Sequence, residues 1–103
     1  MDKLDNPNVV QIGIIVRDVA RSARDYAEVF GIPIPEIVEI ANDSFANTLY
    51  RGQPSTATGK AAFFDLGPVQ MELIEPVGGP STWEEFLHTQ GEGVHHIAFK
   101  VKE

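Results

Sequence analysis

The sequence predicts an α+β fold with one mixed sheet. Three observations carry that reading: short apolar runs with strand character, two capped stretches of helical periodicity, and a last strand that repeats the first. With 103 residues, 43% of them hydrophobic, the chain can bury one modest core.

Val9 to Val16 is a β-branched apolar run between Pro7-Asn8 and the charged Arg17-Asp18, so it reads as a buried strand. Asp18 is placed to cap a helix in which Val19, Ala23, Tyr26, Ala27 and Phe30 recur at helical spacing. Gly31 and Pro33 stop the pattern, and Arg21, Arg24, Asp25 and Glu28 fall on the solvent side. Ile34, Ile37, Val38 and Ile40 mark a second strand. Asn42 to Gly59, rich in Asn, Ser, Thr and Gly with Phe45, Leu49 and Tyr50 as apolar anchors, reads as a long loop with room for a short element. Such loops concentrate ligand contacts. Ala61 to Leu66 and Val69 to Glu75 are two strands joined at Gly67-Pro68, which gives the order β-α-β-β-β. Ser81, with Glu84 three positions on, caps a second helix whose apolar face is Trp83, Phe86 and Leu87. Gly91 and Gly93 release the chain into a last strand, Val94 to Val101.

The net charge of -7, without a lysine or arginine cluster, argues against nucleic-acid and anionic-membrane partners and for a small molecule. There is no cysteine, so a metal ion could be held only through nitrogen and oxygen, which favours harder ions. No basic leader with an apolar run and no bilayer-length segment is present, so a cytoplasmic location is expected. Phosphate-binding glycine loops and nucleophile elbows are also absent, and the Ser and Thr of Gln53 to Thr58 have no base near them in sequence.

Gln11 to Asp18 matches His96 to Glu103 in hydrophobic, small, basic and acidic character, so the last strand looks like a second copy of the first. That match puts His96 at the position of Gln11. Strand alternation places Gln11 with Gly13 and Ile15, places Glu72 with Gln70 and Ile74, and sends His95 and His96 to opposite faces. Taken singly, each polar residue has an ordinary explanation: a strand-end amide bonded to backbone, a carboxylate on a half-exposed strand, a structural histidine. His88, on the second helix, reads as solvent-exposed. It is the convergence of imidazole, carboxylate and amide that suggests Zn, Co, Ni, Mn or Fe.

The segments QIGIIVRDVARSARDYAEVFGI, VQMELIEP and GEGVHHIAFKV resemble the vicinal oxygen chelate superfamily, which holds glyoxalase I, methylmalonyl-CoA epimerase, extradiol dioxygenases and bleomycin-resistance proteins. Their order and spacing look most like the epimerase and glyoxalase branch. The resemblance implies glyoxalase-like βαβββ modules whose sheets cup one divalent metal. Residues 1–77 would be a first module, 78–92 a linker helix, and 93–103 the opening strand of a second, truncated module. Matched residue by residue, the implied metal ligands are Gln11, Glu72 and His96. A fourth, a glutamate late in the second module, would fall beyond Glu103.

The implied chemistry is an isomerase or lyase reaction on an α-carbonyl or acyl-thioester substrate. In it the metal takes two neighbouring substrate oxygens and stabilises an enolate while a carboxylate, here Glu72, moves the proton. The acidic residue that serves epimerases as a base ahead of the third strand has no counterpart, because Gln53 to Lys60 holds no Asp or Glu. A non-catalytic binding module of the same fold, like the antibiotic-sequestering members, is the alternative. A ring-cleaving dioxygenase would need iron and a histidine in place of Gln11. One module with one extra strand leaves an open edge, so the chain is expected to be part of a longer protein or to pair its modules in a homodimer.

Overall fold

The computed structural model of the chain describes residues 4–41, 49–50, 53–54 and 57–101. In chain order the elements are β1 (Leu4–Ile15), α1 (Val19–Phe30), β2 (Val38–Ala41), β3 (Leu49–Tyr50) and β4 (Gln53–Pro54). They continue with β5 (Thr58–Asp65), β6 (Gln70–Gly78), α2 (Thr82–Gln90) and β7 (Gly93–Val101). Five of the strands form one open mixed sheet in the order β2-β5-β6-β1-β7, and β3 pairs with β4 alone. Only β1 and β6 run parallel within the large sheet, the other neighbours being antiparallel.

Two carboxylates anchor the start of α1. The Asp18 side chain accepts from the Arg21 N–H at 3.1 Å, and Glu75 at the end of β6 accepts from the Val19 N–H at 2.8 Å. Gly31 ends the helix at φ 68°, a left-handed conformation that costs a side-chain-bearing residue more, and donates to the carbonyls of Ala27 and Glu28. Val19, Ala23 and Ala27 are buried against Ala62 and Phe64 of β5 and Met71 and Leu73 of β6. Tyr26, Phe30 and Phe64 add an aromatic cluster with ring centroids 5.8–6.3 Å apart. The helix therefore covers one face of the central strands. Ser81 caps α2 by accepting from the Glu84 N–H at 3.0 Å, and the helix packs against β6, β1 and β7.

The structure differs from the sequence reading in strand limits. β1 reaches back to Leu4 through Pro7, where its pairing with β7 is irregular. Pro7 offers no N–H to a ladder, and regular pairing with β6 starts only at Gln11. β2 begins at Val38 instead of Ile34, because Pro33 and Pro35 flank Ile34 and remove the donors a strand there would need. The Asn42 to Gly59 stretch contains the β3 and β4 pair and the start of β5. Residues 42–48, with Phe45, and residues 51–52 and 55–56 lie outside the described residues, as do Lys102 and Glu103 of the repeat. Among the described residues no helix is long and apolar enough to cross a membrane.

Candidate metal centre

Cross-strand partners share a face, so register decides which side chains can meet. Gln11 pairs with Gln70 and Gly13 with Glu72 across β1 and β6. On the other side of β1, Gln11 pairs with Ala98 and Gly13 with His96. Gln11, Gln70, Glu72 and His96 thus occupy one face, the one that α1 does not cover. The repeat explains the register: Ile12 pairs with Ile97, its own counterpart, so each candidate donor faces the small residue two places beyond the other. Gly13 and Ala98 leave the space that Glu72 and His96 project over.

Gly13 is the seat of this arrangement. A Cβ there would lie 2.7 Å from His96 Nδ1 and closer still to Cε1 and Nε2, so the imidazole rests directly on the β1 backbone. The ring bridges from β7 toward the β6 side, where Glu72 stands half-buried. Burial pushes the Glu72 carboxyl above its ordinary range, and the nearby His96 offsets part of that rise. Neither ring nitrogen of His96 bonds to Glu72 among the described residues. Gln11 donates from Nε2 to Gln70 Oε1 at 2.9 Å, and among the described residues no donor reaches the Gln11 amide oxygen.

His95 departs from the expected alternation. Gly13 pairs with His96 but Ile14 pairs with Val94, so His95 is an extra residue in β7, a β-bulge. The bulge breaks the two-residue period, and the two imidazoles that alternation would separate instead meet, Nδ1 to Nδ1 at 3.0 Å. Phe86 of α2 packs edge-on against His95 at 5.2 Å between centroids. Burial, and then the neighbouring His96, hold the His95 imidazole below its usual range. His88 is exposed on α2, as its sequence position suggests.

Among the described residues no three His, Cys, Asp or Glu side chains gather in a way that could hold an ion. The candidate set is two such residues, Glu72 and His96, with the Gln11 amide oxygen as third donor. As donor types, a carboxylate oxygen, an imidazole nitrogen and an amide oxygen suit a divalent ion of the Mn, Co, Ni, Zn or Fe kind. Burial disfavours the charged form of the half-buried Glu72 carboxyl, and a cation beside it would favour that form. Sequence reading did not single out Gln70, Gly13 or His95. The signal for Gln70 was its shared face with Glu72, and that for Gly13 was its place two residues after Gln11.

The family model for the Glyoxalase/Bleomycin resistance protein/Dioxygenase superfamily matches residues 10–103, nearly the whole chain. The chain belongs to this superfamily. Mitochondrial methylmalonyl-CoA epimerase of Mus musculus is 24% identical over 91 residues, 87% of this chain and 43% of that protein. A shorter match, 53% identical over 38 residues, covers 37% of this chain and 27% of the uncharacterised protein YqjC of Bacillus subtilis (strain 168).

Among solved structures, the hypothetical protein BH1468 from Bacillus halodurans C-125 aligns at TM-score 0.65 with 26% identity, over 93% of this chain and 59% of that one. Methylmalonyl-CoA epimerase from Mycobacterium tuberculosis aligns at 0.61 over 92% of this chain and 55% of its own, and at 21% identity shares the fold alone. The chain therefore spans less than half of the curated relatives it matches and less than two thirds of these solved ones.

Proposed function

We propose that this superfamily member is a metal-dependent isomerase or lyase of the glyoxalase and methylmalonyl-CoA epimerase type, acting on a small α-carbonyl or acyl-thioester substrate in the cytoplasm. The observation that carries the reading is that Glu72 and His96 flank the same glycine, Gly13, on the face that α1 leaves open. Gln11, Glu72 and His96 would hold the ion. Once bound, a divalent ion supplies Lewis-acid polarisation of a substrate oxygen. Glu72 is the one carboxylate of the set and so the residue proposed to move a proton as well as to hold the ion. Gln70 ties down the Gln11 nitrogen, so the amide presents its oxygen.

We further propose that residues 1–77 form the first βαβββ module and that 78–92 link it to a second module opened by 93–103. A homodimer, or the remainder of a longer chain, would supply the missing half of the site. Analytical ultracentrifugation of the 103-residue protein tests the assembly, and a compact, stably folded monomer would rule out the dimer.

The function is tested by metal content after purification without chelator or affinity metal, on wild type, Glu72→Ala and His96→Ala. Stoichiometric Mn, Co, Ni, Zn or Fe that vanishes in both variants is the expected result, followed by deuterium exchange at the carbon beside the carbonyl of α-carbonyl or acyl-CoA substrates. One observation favours the second reading, a binding module without catalysis: a third His, Asp or Glu donor is absent among the described residues. Metal-free wild type that still binds small ligands would decide for it.

A further inference from the structure

The Nδ1 to Nδ1 contact between His95 and His96 is a hydrogen bond only if one ring donates and the other accepts. If His96 accepted, its remaining proton would sit on Nε2, the nitrogen that lies over Gly13, and would block that nitrogen toward a cation. If His96 donates, Nε2 keeps its lone pair, and His95 must carry its own proton on Nε2.

We propose that His95 is the positioning residue of the centre: it accepts the Nδ1 proton of His96 and so fixes the His96 tautomer and ring plane with Nε2 free for a divalent ion. The β-bulge is what makes this possible, since a regular strand would put the two rings on opposite faces. Phe86, edge-on to His95, holds the accepting ring in place. The inference rests on the reading of His96 as a donor to an ion. A ligand imidazole is generally oriented by the acceptor its other nitrogen finds, and loss of such an outer partner costs roughly 10- to 100-fold in metal affinity.

Two substitutions separate positioning from packing. His95→Phe keeps an aromatic ring against Phe86 but has no acceptor, whereas His95→Asn loses the ring and keeps an acceptor near the Nδ1 position. Titration with Zn²⁺ by calorimetry is expected to weaken roughly 10- to 100-fold in His95→Phe and to stay within a few-fold of wild type in His95→Asn. A structural role would give the reverse order, and that order, or no change in His95→Phe, would overturn the proposal.

Nitrogen-15 spectra of the metal-free protein above the imidazole titration range give a second readout. His96 protonated on Nδ1, with a nitrogen-to-nitrogen coupling to His95 across the bond, is expected. His96 protonated on Nε2 would also overturn it. Wild type that takes up no Zn²⁺ would instead overturn the metal reading itself and, with it, any role of His95 toward an ion. Zn²⁺ binding that is lost in His96→Ala but kept in His95→Phe would overturn the His95 assignment alone.

Discussion

The two faces of the central strands are built on opposite rules. Beneath α1 the sheet presents Ala62, Phe64, Met71 and Leu73, all buried and apolar, and the start of the helix is held by the Asp18 and Glu75 carboxylates. On the other face the same strands bury Ile15, Ala61 and Ile74 at one end and present Gln11, Gln70, Glu72 and His96 around a glycine beyond them, with a carboxylate held above its ordinary range by burial. Alternation makes both faces from one set of strands: Met71 and Leu73 enter the core beneath α1 while Glu72 between them lies on the other face. Glu72 is a half-buried carboxylate whose charged form burial disfavours, which makes it a candidate for a functional role.

If the faces are independent, each can be damaged without the other. Phe64→Ala should do the most to the α1 face. Phe64 is 2% exposed and touches Tyr26 and Phe30, and its truncation should cost about 3–5 kcal/mol in urea unfolding while any metal bound by the folded protein keeps its affinity. Gly13→Ala should do the converse. The new methyl meets the far end of the His96 side chain, which can swing away, so unfolding free energy should change by less than about 1 kcal/mol. Metal affinity should fall on the order of 100-fold by calorimetry, because a donor displaced by about an ångström no longer meets the others.

Asp18→Ala removes one of the two carboxylates at the start of α1 and should cost about 1 kcal/mol, with the site untouched. The smallest effect is the most diagnostic of the face difference. Because the folded Glu72 carboxyl sits above its unfolded value, the native state binds more protons than the unfolded state between those two values. Stability contributed by this group is thus lost as pH rises through that window. Glu72→Gln should make the metal-free protein slightly more stable than wild type at neutral pH, with the gain vanishing below the ordinary carboxylate range, as thermal unfolding at several pH values would show.

Most of the scaffold was legible because its punctuation is chemical. Asp18 and Gly31 bound α1, Ser81 with Glu84 opens α2, and Gly67-Pro68 joins β5 and β6, each through a residue type with one strong local preference. The repeat related Gln11 to His96, and Glu72 stood out as a carboxylate between Met71 and Leu73; the pairing of Ile12 with Ile97 puts Gln11 and His96 on one face. The bulge was not legible. Nothing in Val94-His95-His96-Ile97 marks one histidine as extra, since bulges are fixed by pairing with β1 and not by local propensity. For the same reason the Gln11 to Gln70 bond escaped notice: it joins residues distant in sequence whose meeting depends on a parallel register. The extension of β1 through Pro7 ran against the local preference of proline and depended on a neighbour, β7, at the far end of the chain.

The most direct measurement is a double-mutant cycle for Mn²⁺ or Zn²⁺ binding by calorimetry on wild type, Glu72→Ala, His96→Ala and the double variant, each shown folded by thermal unfolding. If Glu72 and His96 act as one centre around Gly13, either single substitution should remove most of the affinity and the double variant should bind no more weakly than the single ones. Small losses that simply add, or affinity that survives both substitutions, would contradict a shared metal centre on this face.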